Sequence, residues 1–191
     1  DDSCRQALTT WQDYLAMAEK LHIDTSDEII YRARKLRQRH DELVLQCEKG
    51  NIQSQAEQME KKYPHVNGIC KEIQEKYADA DDAYTLIAPS NVLDILTEGR
   101  MLHHCVGNDG AGERYYDRIE RRESFILLLR RTDEPEDPYY ALEIEPDGTV
   151  RQKRPLFDRQ HEDIEQATEF LLKWQKVIAA RLTGQDLKLA Q

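Results

Sequence analysis

The chemistry-bearing residues of this chain concentrate in Glu98-Gly99-Arg100-Met101-Leu102-His103-His104-Cys105-Val106-Gly107. A thiol beside two imidazoles can act as a nucleophile, hold a metal ion or sense redox state, because imidazole can take the thiol proton and both groups bind metals. Neighbouring side chains of an extended chain alternate in direction, so His103 and Cys105 share a face and His104 points from the other. His103 is therefore the better activator of a Cys105 nucleophile, with His104 the second candidate. Glu143 can orient an imidazole, and Tyr116, Arg130 and Gln152 can bind substrate or stabilise an oxyanion. The competing reading is structural: a buried thiol packs as a small hydrophobe beside a hydrogen-bonded histidine.

Metal and phosphate chemistry are weaker fits. His103, His104 and Cys105 can offer two zinc ligands from one segment, with Glu143 or His161 completing the set, but no second ligand pair stands at a telling spacing. No metal or other cofactor is expected on that basis. Gly107, Gly110 and Gly112 precede a short helix and could cradle an anion. The loop lacks the Lys-Ser/Thr of a phosphate loop, and Asp109 and Glu113 would repel one, so a plain turn fits better.

The elements that must position these residues follow from periodicity. Residues 4–80 read as helical: Trp11, Tyr14, Leu15, Ala18 and Leu21 recur at helical spacing, Asp24 to Asp27 offers a cap, and a helix carrying Ile29, Ile30, Ala33, Leu36, Leu43 and Val44 follows until Gly50-Asn51 breaks or bends it. A third helical stretch is interrupted at Pro64. Beyond residue 82, Tyr84 to Ala88 reads as a strand and Ser90 as the cap of a helix ended by Gly99. Residues 113–122 then form a short helix. Three strands follow: Ser124 to Arg131, apolar enough to be buried on both faces; Tyr139 to Glu145, with Tyr140, Leu142 and Ile144 opposite Ala141 and Glu143; and Thr149 to Arg154, after a Pro146-Asp147-Gly148 hairpin turn. His161 to Leu182 is an amphipathic helix suited to packing on the sheet. The predicted class is α+β, with a helical region at 1–80 and a domain at 81–191 built on a small antiparallel sheet with packed helices.

The chain has 191 residues with 27 Lys plus Arg against 37 Asp plus Glu, a formal charge of −10. Such a chain has no general attraction to nucleic acid or anionic membranes. A local basic patch is the remaining route to nucleic acid, with Arg130, Arg151 and Arg154 on a sheet edge as the candidates. The run from Arg32 to Arg39 reads as a solvated helix face, and the charged helical region can equally dock a protein partner. Cys4, Cys47, Cys70 and Cys105 form no close pair, no signal peptide is visible and no apolar run suits a membrane span, so a cytoplasmic setting with free thiols and no membrane partner is expected. The opening Asp1-Asp2-Ser3, without Met, suits an excised piece of a longer protein.

Taken in order, Glu98-Gly-x-x-Leu102-x-His104-Cys105-Val106-Gly107, Tyr115-Tyr116, Ile126 to Arg130, Tyr139-Tyr140-Ala-Leu142-Glu143-Ile144, Gln152 and a helix with Trp174 resemble the PcfJ-like family. Trp11-x-Asp13-Tyr14-Leu15 and Leu36-x-x-x-His40-Asp41 extend the likeness towards the start. The chain departs from the pattern in its longer loop at 108–112 and in Lys153 to Asp158, where an Arg-Gly-x-x-Asn turn is expected. The resemblance implies an accessory protein of conjugative plasmids or other bacterial mobile elements, and it carries no defined reaction. A Cys/His-dependent hydrolase or transferase centred on Cys105 and a nucleic-acid-binding module are the alternatives.

Overall fold

A computed structural model describes residues 2–102, 113–155 and 161–189. Within them the chain forms α1 (Asp2–Lys20), α2 (Glu28–Tyr31), α3 (Leu36–Lys62), α4 (Val66–Tyr77), β1 (Asp79–Ala80), β2 (Tyr84–Ile87), α5 (Val92–Met101), α6 (Glu113–Glu120), β3 (Phe125–Arg131), β4 (Tyr140–Ile144), β5 (Val150–Pro155), α7 (Ile164–Ile178) and α8 (Gly184–Leu189). The α+β class is as the sequence predicts. Two compact units part inside α3, at Asp1–Ser54 and Gln55–Gln191. The change of texture near residue 80 is a different boundary, because α4 is helical like the residues before it yet packs against β2 and α6.

The first unit has a small core. Tyr14 and Ala18 of α1 meet Leu43 of α3, with Leu15, Met17, Leu21, Ile23, Ile30, Ala33 and Leu36 packed around them. His22 adopts φ 58° and closes α1, with the Ile23 amide donating to the Ala18 carbonyl at 2.9 Å. Asp27 caps α2, accepting from the Ile29 amide at 2.8 Å. The expected single helix from Ile29 to Gly50 is corrected here: it breaks early, at Arg32 to Lys35, where Lys35 turns to φ 56°. The helix then runs unbroken through Gly50, since a glycine lowers helix stability without ending a helix unless it leaves helical dihedrals. Ile29 consequently faces solvent rather than the core.

In the second unit the described strands form one antiparallel sheet in the order β1-β2-β3-β4-β5. β3 lies centrally and is buried along almost its whole length, as its apolar run requires. α7 covers one face with Ala167, Phe170, Leu171, Trp174 and Ile178, while Val177, expected on that stripe, is half exposed. Trp174 Nε1 donates to the Tyr77 carbonyl at 2.7 Å, and the Tyr77 hydroxyl donates to the Pro146 carbonyl at 2.6 Å. These bonds tie α4 and α7 to the β4–β5 hairpin. Gly148 stands at φ +87° in that turn, and a Cβ there would come 2.5 Å from Ile178 Cδ1, so glycine is required twice over. Two helix boundaries differ from expectation. Asn91, not Ser90, caps α5, accepting from the Asp94 amide at 3.0 Å while Asp94 reaches back to the Ser90 amide. Gly99 lies inside α5, which ends at Met101.

Candidate functional site

Directly paired residues of an antiparallel sheet project from the same face. The register pairs Thr85 with Arg130, Ala141 with Arg154, and Glu143 with both Ile126 and Gln152. Arg130, Glu143 and Gln152, three candidates from three strands, therefore share one face, the one opposite α7. α5 and α6 reach over this face through Glu98, Tyr115 and Arg118.

Arg130 does not stand at a sheet edge, as the nucleic-acid reading required: β3 is central and the residue is buried. Its guanidinium makes a bidentate ion pair with Glu98 of α5, Nη2 to Oε2 at 2.5 Å beside a parallel Nη1–Oε1 bond. Glu98 occupies an inward position of α5, among Ile95, Leu96 and Gly99. Leaving either charge alone there would cost several kcal/mol, about 3–5, so the pair fixes α5 on the sheet.

Glu143 is 2% exposed. Its Oε1 accepts from Arg118 Nη1 and from Ser124 Oγ, each at 2.7 Å. Its Oε2 is buried with no partner among the described residues. A buried carboxylate oxygen without a donor is costly, so Glu143 presents a vacant acceptor suited to an imidazole or substrate N–H. Gln152 Oε1 accepts from the Tyr115 hydroxyl and from Arg154 Nε, both at 3.2 Å. Tyr116 is fully buried, stacks on Tyr63 with ring centroids 6.1 Å apart, and its hydroxyl also lacks a partner among the described residues. Burial, with a smaller contribution from Cys70, raises its pKa, so the phenol stays protonated and can donate. The Cys70 thiol is pushed up to about 12 by burial and by the Asp94 charge, which leaves it a packing residue.

His103, His104, Cys105 and the 108–112 loop lie outside the described residues. The chain they belong to joins the end of α5 at Met101 to the start of α6 at Glu113, the two helices set over this face. Sequence reasoning assigned no role to Glu98, Arg118 or Ser124. The Ile95-x-x-Glu98 spacing, which puts a carboxylate on the apolar stripe of α5, was the available signal for the first.

The other face carries a second polar cluster. Asp163, at the N-terminus of α7, accepts from the Tyr139 hydroxyl at 2.7 Å, from Arg131 at 3.1 and 3.2 Å, and from the Tyr84 hydroxyl at 3.1 Å. Burial pushes its pKa up, but the three donors and the Arg131 charge outweigh that and hold it at about 2. Arg131 lies over the Tyr139 ring at 4.7 Å. His161 packs against Tyr139 and Tyr140, so it stands across the sheet from Glu143. Among the described residues no three His, Cys, Asp or Glu side chains are grouped to hold a metal. Of the remaining basic candidates, Arg151 is engaged by Glu145 at 2.8 Å. Among the described residues, no helix is long and apolar enough to cross a membrane.

Comparison with known proteins places these residues in a wider setting. The family model described as PcfJ-like protein matches residues 10–168, well over half of the chain. An uncharacterized protein of Listeria innocua is 28% identical over 142 residues, which is 74% of this chain and 28% of that protein. The chain thus spans little more than a quarter of the curated relative it matches. No solved structure matches it.

Proposed function

The chain belongs to the PcfJ-like protein family, and from that premise we propose that it is an accessory protein of a bacterial mobile genetic element, conjugation-related, acting in the cytoplasm through a pocket on the sheet face of Arg130, Glu143 and Gln152. The vacant Oε2 of Glu143 is the observation that carries the pocket. In this reading Glu143 Oε2 accepts an N–H from an imidazole or from a substrate held on that face. The mobile-element role is supported by family membership. Deleting the gene from its host is expected to lower transfer of the element that carries it without slowing growth; undiminished transfer would refute the role.

The same vacant acceptor favours a second reading, in which the pocket is that of a Cys/His-dependent hydrolase or transferase. His103 takes the Cys105 proton, Glu143 holds the imidazolium, and Tyr116 donates to a developing oxyanion. Iodoacetamide near neutral pH should then alkylate Cys105 faster than an unperturbed thiol. His103→Ala and Glu143→Gln should each slow it by tenfold or more. A Cys105 that reacts only after unfolding would remove this reading.

A further inference from the structure

The basic run set aside as a solvated face has a shape that the sequence does not reveal. The turn at Lys35 folds α2 back beside the start of α3, and Glu28, Ile29, Arg32, Arg34 and Arg39 line an open hollow of about 410 Å³. Three arginines and one acid line it, in a stretch flanked by Asp27 on one side and by Asp41 and Glu42 on the other. The acid, Glu28, pairs with Arg32 at 2.7 Å on the surface. Arg34, Lys35, Arg37 and Arg39 make no ion pair among the described residues. By contrast, Arg118, Arg130, Arg131 and Arg151 of the second unit are all held by carboxylates. In a chain of net charge −10, Arg34 and Arg39, the two arginines of this hollow outside any ion pair among the described residues, mark a place where a polyanion meets attraction rather than repulsion.

An exposed aromatic ring decides between polyanions. Tyr31, next in the chain to Arg32, is 49% exposed. Trp11 holds it from behind, edge to face at 5.1 Å, with Trp11 Nε1 donating to the Tyr31 carbonyl at 2.9 Å. Ile29 in the hollow is 66% exposed. Guanidinium forks in the hollow and a solvent-facing ring on the residue before Arg32 suit phosphates and bases together, whereas the carboxylates of an acidic peptide engage the guanidiniums alone. A flexible strand can also bend away from the acidic remainder of the surface, which a stiff duplex cannot. We propose that the hollow at α2–α3 binds single-stranded nucleic acid, with Arg34 and Arg39 on backbone phosphates and Tyr31 stacking a base. This site is independent of the sheet-face pocket and stands whether or not that reading does.

The test is fluorescence anisotropy of the whole chain with a fluorescein-labelled oligothymidylate across a salt series. Binding should weaken linearly in log affinity against log salt. Arg34→Gln with Arg39→Gln should lower affinity at least tenfold and flatten the salt slope by about 1.4, the value for two lost single-strand phosphate contacts. Tyr31→Ala should lower affinity about tenfold at an unchanged slope, since stacking releases no counterions. Arg151→Gln with Arg154→Gln should change neither. Circular dichroism checks folding, and Arg34→Lys with Arg39→Lys, which keeps the charge, should recover most of the slope. Absence of binding at low salt, full binding by the folded Arg34→Gln/Arg39→Gln protein, or equal competition by polyglutamate would each overturn the proposal, the last in favour of an acidic protein segment.

Discussion

Replacing Asp163 by Asn keeps the side-chain shape and removes one charge from the cluster that ties the start of α7 to β2, β3 and Tyr139. In the native state the carboxyl titrates at about 2, against an ordinary value of 3.8. At about 1.4 kcal/mol for each tenfold change in proton affinity, the difference corresponds to about 2 kcal/mol of stability. The side chain is only a quarter exposed, so solvent screening removes little of this. The sign follows from the lowered native value: the carboxylate stabilises the fold above about pH 4, and its contribution disappears as pH falls through 2. Urea unfolding of the wild type and Asp163→Asn at matched pH should therefore show a gap of about 2 kcal/mol at pH 7 that closes between pH 4 and pH 2. An NMR titration of the Asp163 carboxyl should also move up towards 3.8 in Arg131→Met. A stability gap of the same size at pH 7 and pH 2 would refute the electrostatic account, because packing loss does not titrate.

Other perturbations probe the remaining supports. Arg130→Met, which leaves Glu98 buried without its partner, should cost about 3–5 kcal/mol in urea unfolding, and adding Glu98→Leu should restore much of it. Gly148→Ala should lower stability by about 1–3 kcal/mol by thermal melting, from strain at positive φ and the clash with Ile178. Cys70 should resist a disulfide reagent at pH 8 until the chain unfolds, because its thiol titrates near 12, while exposed Cys4 reacts at once.

Much of the architecture was legible because local patterns report it. The continuous apolar run at 125–129 predicts a doubly covered strand, and β3 is central. The alternation from Tyr140 to Ile144 predicts that Glu143 faces away from Leu142, as the register shows. Pro64 separates α3 from α4 because its ring cannot continue a helix. Gly50 misled because glycine is a helix terminator only in company with a turn, and that turn lies instead at Lys35, whose residue type gives no warning of φ 56°. β1 escaped notice because two residues carry no periodicity.

The site divides along the same line. Sequence alone determined the family, the α+β class and the face on which Glu143 stands, since each depends on order and spacing within a short stretch of chain. Only the tertiary structure decided that Arg130, read as a surface charge, is buried against Glu98, and that Arg34 and Arg39, read as solvated, line a hollow whose one carboxylate, Glu28, is paired with Arg32. Whether a charge is free or paired depends on residues far away in the chain, 32 positions in the case of Glu98 and Arg130. Spacing is local and desolvation is not, so the pairing of charges had to wait for the fold.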